Sequence, residues 1–310
     1  MKKFTKISLI VAAVMLGTGL LLSGIAALMG AGYGTMHRMS MDGDFDVWGI
    51  HVRPYGIYFG SDNDIIFGND EAGTYQTGSE FSAFEVNNIA VDVGAASIYV
   101  KPSADADKIS VELKHGQKRY YSCILDGDTL KIEYDQENYH FYHKSPEITI
   151  YLPEEKIFET LDFSIGAAEM EFEDQTVSCD RLTIDVGAGR LEAERFDVAE
   201  LLDIEIGAGD VKVDYGIFGE VKIDCAMGNV ELAGKLNGDL TGSCSMGNIE
   251  IELDGDEEDY NYDLSCSMGE LTVNGRTRAA FDGTHTEKNE NAIGTISIDC
   301  SMGSVELEVR

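Results

Sequence analysis

"IDCSMGSVEL", residues 298–307, is the stretch on which the reading of this chain turns. It places a cysteine, a serine and a methionine in consecutive positions, and a single copy would suggest a nucleophile or a metal ligand. Seven further stretches align with it without gaps. They are VDVGAASIYV (91–100), FSIGAAEMEF (163–172), IDVGAGRLEA (184–193), IEIGAGDVKV (204–213), IDCAMGNVEL (223–232), GSCSMGNIEI (242–251) and LSCSMGELTV (264–273). The sixth position is Ala96, Ala168, Gly189, Gly209, Gly228, Gly247, Gly269 and Gly303. From Ala168 to Gly269 these recur at steps of 21, 20, 19, 19 and 22 residues. A step of 34 leads to Gly303, with residues 275–294 as the insertion.

Alternating polar and apolar residues on both sides of a small-residue bend read as two short strands. Glycine suits a bend that needs positive φ or close backbone approach. A near-constant period of about 20 residues, with the same residue types in the same phase, is a solenoid period. The expected architecture is all-β: a parallel β-solenoid whose coils share one continuous core. Val93, Ile165, Val186 and Ile206 share a register with Cys225, Cys244, Cys266 and Cys300. That register alternates with Asp185, Glu205 and Asp224, so the cysteines face inward as small hydrophobes. Met227, Met246, Met268 and Met302 take the register of Ala95, Ala167, Ala188 and Ala208, and are expected to fill core volume that cysteine leaves open. Asp185, Glu205 and Asp224 are expected to stack in adjacent coils about 5 Å apart.

The spacing of the repeat cysteines is not the paired C-x₂₋₄-C of zinc sites. In-register side chains on parallel strands also sit too far apart for ordinary disulfides. These thiols are expected to be reduced, buried and unreactive. Cys123 and Cys179 lie outside the register and are either paired or buried thiols.

The formal net charge is −33, and Lys2, Lys3 and Lys6 are the only charges before His37, so the remainder carries −36. Such a surface repels nucleic acid and attracts cations or basic partners. Ile7 to Met29 are 23 uncharged residues behind three lysines. That length spans a bilayer as one helix, with the lysines cytoplasmic and the rest of the chain outside. The expected organisation is a signal anchor over 1–30, a Gly/Asp/aromatic juxtamembrane linker over 31–88 and the repeat domain over 89–310. "DGDFD" (42–46) lacks the glycine and distal glutamate of a calcium loop.

Residues 109–152 read as a β meander, with Asp126-Gly127 as a hairpin turn. His140 and His143 on a strand would face opposite sides, which disfavours a shared metal. No nucleophile elbow, P-loop, dinucleotide fingerprint or HExxH run occurs. The sequence therefore nominates no catalytic, cofactor-binding or metal-ligating residue.

The "IDVGAG" and "CSMG" repeats, the "ITIYLP" strand and the single amino-terminal apolar segment resemble the adhesin-like β-strand-repeat domains of Gram-positive bacteria, including LiaG-type envelope proteins. The resemblance covers residues 86–310. It implies a β-solenoid outside the cytoplasmic membrane, in a family of unknown function with no catalytic residues to carry over. The leading expectation is a non-enzymatic, membrane-anchored protein that binds or scaffolds cell-wall polymers or envelope proteins, with weak divalent cations as further partners. The alternatives are an accessory of an envelope-stress signalling system, and a polysaccharide-active β-helix enzyme. Such an enzyme would show Asp, Lys or Arg converging from successive coils, whereas Arg190 and Lys212 read as isolated basic positions.

Overall fold

The computed structural model describes residues 45–47, 50–53, 56–59, 76–135, 145–280 and 283–310. The signal-anchor segment, most of the linker, and His140 and His143 lie outside the described residues. Among the described residues no helix is long and apolar enough to cross a membrane. β1 (Phe45–Val47), β2 (Ile50–Arg53) and β3 (Gly56–Phe59) form an antiparallel sheet of their own.

The remaining sixteen strands form one sheet system, built from rungs. A rung is easiest to see in β13 (Arg190–Ile206), which follows β12 (Glu169–Val186) and precedes β14 (Asp210–Leu236). Its buried residues are Leu191 and Ala193, then Phe196 and Val198, then Leu202, Ile204 and Ile206. Within each group the spacing is two, as a pleated strand requires. Between groups the phase breaks, and the pairing registers of β12 and β13 shift at the same places. Each rung therefore has three straight runs separated by corners. All pairing from β12 through β13 and β14 to β15 (Leu240–Leu253) is parallel and in register, so equivalent residues of successive rungs stack. Aromatic rings fill part of the interior: Phe172 meets Phe163 at 5.6 Å and Phe196 edge-on at 4.8 Å.

The first repeat is split between β5 (Asn88–Val93) and β6 (Ser97–Pro102). These stack in parallel on β11 (Ile157–Ile165) and β12. On their far side lie β9 (Thr129–Tyr134) and β10 (Glu147–Leu152), again parallel. The expected meander is thus only partly present, because β9 and β10 occupy the two halves of a further rung that lacks the small-residue bend. Antiparallel strands finish this end. β8 (Tyr121–Asp126) pairs with β9 through the Asp126-Gly127 turn, where Gly127 has φ of 66°. β7 (Lys108–Lys114) pairs with β10, and β4 (Gln76–Ser82), from the stretch read as linker, pairs with β7.

The other end departs from sequence order. β19 (Gly294–Val309), which contains the last repeat, lies between β15 and β16 (Tyr260–Val273), parallel to both. The insertion that precedes it supplies β17 (Arg276–Ala280) and β18 (Gly283–Glu287), which pair antiparallel with the outer edge of β16. These two short strands cover the last rung.

Two expectations about the bend are corrected. Met227, Met246, Met268 and Met302 are 51%, 45%, 56% and 40% exposed, so they are not core filler. The bend turns the chain between the cysteine and the methionine, and period-two alternation does not carry across it. The column of Ala167, Ala188 and Ala208 that precedes the methionines is exposed as well. The bend glycines Gly189, Gly209 and Gly228 do not have positive φ. They are glycine because the rungs approach closely. A Cβ on Gly228 would lie 1.9 Å from the Gly209 carbonyl oxygen, and one on Gly189 2.1 Å from that of Ala168.

Candidate functional site

The chemistry available to this molecule lies in columns that run along the stack. Parallel in-register pairing repeats each outward side chain at the rung spacing of about 4.8 Å. The expected acidic column is present, with Asp185 beside Glu205 and Glu205 beside Asp224. Burial first, and then the charges of Asp185 in this column and of Asp92, raise the pKa of Asp162. A second column, past the bend, stacks Glu231, Glu250 and Glu306. Burial, then the charges of Glu231 and Glu306, raises the Glu250 carboxyl.

Several basic side chains are dispersed over the same surface and pair with carboxylates there. Lys212 lies 3.2 Å from Asp214 and 3.9 Å from Glu231, and its hydrogen bond to Asp214 raises its pKa. Arg190 reaches Glu192 at 3.0 Å, Arg195 reaches Asp197 at 3.0 Å, and Lys101 reaches Glu173 at 2.7 Å. Arg190 and Lys212 are therefore ion-paired, not isolated. Glu171, Glu192 and Lys212 stack on three consecutive rungs, and with Asp174 and Asp214 they line a groove of ≈ 290 Å³ at a corner. Asp174 turns that corner with φ of 51°.

The repeat cysteines form an interior column in the order Cys225, Cys244, Cys300, Cys266, each at most 2% exposed. All six cysteines are free thiols, including Cys179, which is buried, and Cys123, which is partly so. Burial, then the neighbouring Cys244, pushes the Cys225 thiol up to about 12. Burial also pushes Cys300 and Cys179 up to about 12. A thiol that resists ionisation is neither a ready nucleophile nor a ready metal ligand.

On the outside of the same bends the methionines stack as Met227, Met246, Met302 and Met268. Hydrogen-bonded polar columns flank them. Asn229 donates to Asp210 at 2.7 Å, Asn248 to Asn229 at 3.0 Å and Ser304 to Asn248 at 2.7 Å. On the other flank Ser243 donates to Asp224 at 2.8 Å, and Ser265 to Asp299. Sequence reasoning missed this surface. The available signal was the alanine at the same position in the early repeats, which shows that the bend does not require bulk there.

A parallel stack of near-identical rungs with outward ladders defines an all-β repeat protein. Residues 86–308 match the family model described as Toastrack DUF4097, and the chain belongs to that family. The resemblance drawn from the repeats is thereby borne out. No curated protein matches the chain. Among solved structures, the chain is similar to three described as putative proteins. An adhesin from Bacteroides fragilis is 15% identical with a TM-score of 0.48, covering 77% of this chain and 99% of that one. An adhesin from Parabacteroides distasonis is 13% identical with a TM-score of 0.41, covering 76% and 98%. A lipid binding protein from Parabacteroides distasonis is 14% identical with a TM-score of 0.38, covering 78% and 98%.

Proposed function

We propose that this chain is a membrane-anchored, extracytoplasmic, solenoid-like protein that binds or scaffolds cell-envelope components and catalyses no reaction. One observation carries the reading. Outward side chains recur at a single fixed spacing along the whole stack, as the column from Asp185 through Glu205 to Asp224 illustrates. A surface of that kind meets a repeating polymer, or a row of partners, with many individually weak contacts at once, and multivalency turns these into useful avidity. The anchor rests on the 23 uncharged residues behind the amino-terminal lysines.

The test uses the full chain in its native membrane. Protease added to intact protoplasts is expected to remove everything beyond about residue 31, and carbonate washing to leave the protein on the membrane. Crosslinking before solubilisation is expected to recover envelope polymer or envelope protein with the repeat domain. Full protection from protease overturns the topology. Recovery of cytoplasmic partners alone overturns the function.

The groove lined by Glu171, Glu192 and Lys212 favours a second reading, a polysaccharide-active enzyme, because it gathers acids and a lysine from successive rungs. Release of reducing ends from acidic or neutral wall polysaccharide, abolished by Glu171→Gln and Glu192→Gln together, would establish that reading in place of the first.

A further inference from the structure

We propose that the methionine column Met227–Met246–Met302–Met268 is a binding site for a soft monovalent d¹⁰ cation, Cu(I) or Ag(I), held between thioethers of neighbouring rungs. The fold does not ask for methionine here. Rungs with Ala167, Ala188 and Ala208 make the same bend and are joined by the same backbone bonds. Ala188 N–H donates to the Gly166 carbonyl at 2.6 Å, and Met227 N–H donates to that of Gly207 at 2.9 Å. Bulk begins only at Met227, and then persists through every later rung while remaining 40–56% exposed. On four successive rungs an apolar side chain therefore leaves about half of its surface in water, where burial contributes nothing.

The spacing is what a soft ion needs. Met227 pairs with Met246, Met246 with Met302 and Met302 with Met268, each directly in register. Neighbouring parallel strands lie about 4.8 Å apart. Two metal–sulfur bonds of the order of the zinc–thiolate length, about 2.3 Å each, span nearly that distance end to end. The flexible thioether arms of adjacent rungs can therefore close on a two-coordinate ion held between them. The flanking ladders of Asn229, Asn248 and Ser304, and of Asp224 with Ser243, hold the rungs at fixed register, so the spacing exists before an ion arrives.

The donor chemistry selects the ion. Thioether sulfur is soft and uncharged, which favours Cu(I) or Ag(I) over calcium, magnesium or zinc. A neutral donor set leaves the positive charge uncompensated, and Asp224 and Asp299, three positions before Met227 and Met302, supply negative charge in the same rungs. The cysteines do not compete, because they face the interior from the other side of the bend. A thioether also has no proton to lose. Binding should accordingly survive acidification that empties thiolate or imidazole sites.

The experiment titrates full-length protein, carrying ¹³C-methyl methionine, with silver nitrate in chloride-free buffer. Cu(I) affinity is measured separately by competition with a chromogenic chelator. The methyl resonances of the four column methionines are expected to shift, at about pH 5 as at about pH 7. Met246→Ala with Met302→Ala restores the residue type of the early rungs, so the stack should melt unchanged. Cu(I) affinity is expected to fall about a hundredfold or more in that variant, and to be retained in Cys244→Ala. The proposal is overturned if affinity survives the double methionine variant, if Cys244→Ala removes it, or if binding disappears at about pH 5.

Discussion

Gly189, Gly209 and Gly228 owe their places at the bend to the neighbouring rung and not to their own backbone, whereas Gly303, with φ of 148°, answers to both. Gly228 faces the Gly209 carbonyl so closely that even one methyl group must push the rungs apart. Gly228→Ala is expected to cost about 1–3 kcal/mol, with Gly209→Val at the upper end or beyond, as overpacking does. Gly78, with nothing within 4 Å of its Cβ position, provides the control, and Gly78→Ala should leave urea denaturation nearly unmoved. Unchanged stability in Gly209→Val would mean that the bend is looser than described. The thiols give a second expectation. Cys225 and Cys300 are raised in the folded protein to about 12 from 9.0. The stability linked to their protonated form is complete below pH 9 and is lost as pH rises from there towards 12. Alkylation of Cys225, Cys244, Cys266 and Cys300 should be slow in the native protein and complete in denaturant. The alkaline fall in melting temperature should be shallower in Cys225→Ala. Rapid native labelling of any of the four would contradict the interior column.

At the level of elements, the sequence made the rung visible because eight copies carry the same residue types in the same phase. What it could not display was order. The "CSMG" copies present equivalent faces, so any of them can stack on any other, and nothing local says that the last rung sits between its two predecessors. Only the lengths of the connections permit it, through the 20 residues between Val273 and Gly294. The rung made by β9 and β10 escaped notice for the opposite reason, since "LKIEY" and "EITIYL" carry no small-residue bend between them. The methionine column was missed because alternation was extended across a bend that resets it. The same elements suggest a test of the two closing strands. β17 and β18 are five residues each and carry Arg276, Arg278, His285 and Glu287, in the manner of protected edges. Replacing residues 276–287 by a short glycine-rich link should leave β16 unpaired along its outer edge. Light scattering should then rise with protein concentration while the rest of the stack stays folded, and a variant that remains monomeric would show that the two edge strands are dispensable.

Across the whole molecule, charge sets the conditions under which the stack is comfortable. The chain carries a net −33, and rows of carboxylates repel one another along the stacking direction. Because Glu250 and Asp162 are raised when folded, from 4.5 and 3.8, the folded state takes up their protons first as pH falls. Their contribution to stability is complete below those unfolded values and is lost as pH rises through the folded ones. Glu250→Gln is therefore expected to raise the melting temperature at neutral pH and to have no effect in acid. Cations act on the same repulsion. If divalent ions bridge the columns, CaCl₂ should raise the melting temperature more than NaCl at matched ionic strength. Equal shifts would reduce the effect to screening and remove divalent cations from the list of partners.

The position of β19 also bears on how the chain reaches its folded form. Met227 and Met246 are neighbours at a sequence separation of 19, whereas Met246 and Met302 are neighbours at 56. A solenoid can grow coil upon coil as its chain emerges, each coil templating the next. This stack cannot be completed that way, since β15 takes its partner from β19, beyond the intervening β16 in the sequence. Closure of the longer loop adds an entropic barrier, and slow, non-local pairing of this kind tends to limit the folding rate. The final step is then an insertion that seals the array from within. A polypeptide lacking β19 leaves β15 and β16 with two open edges facing each other, so this one strand closes the stack on both sides.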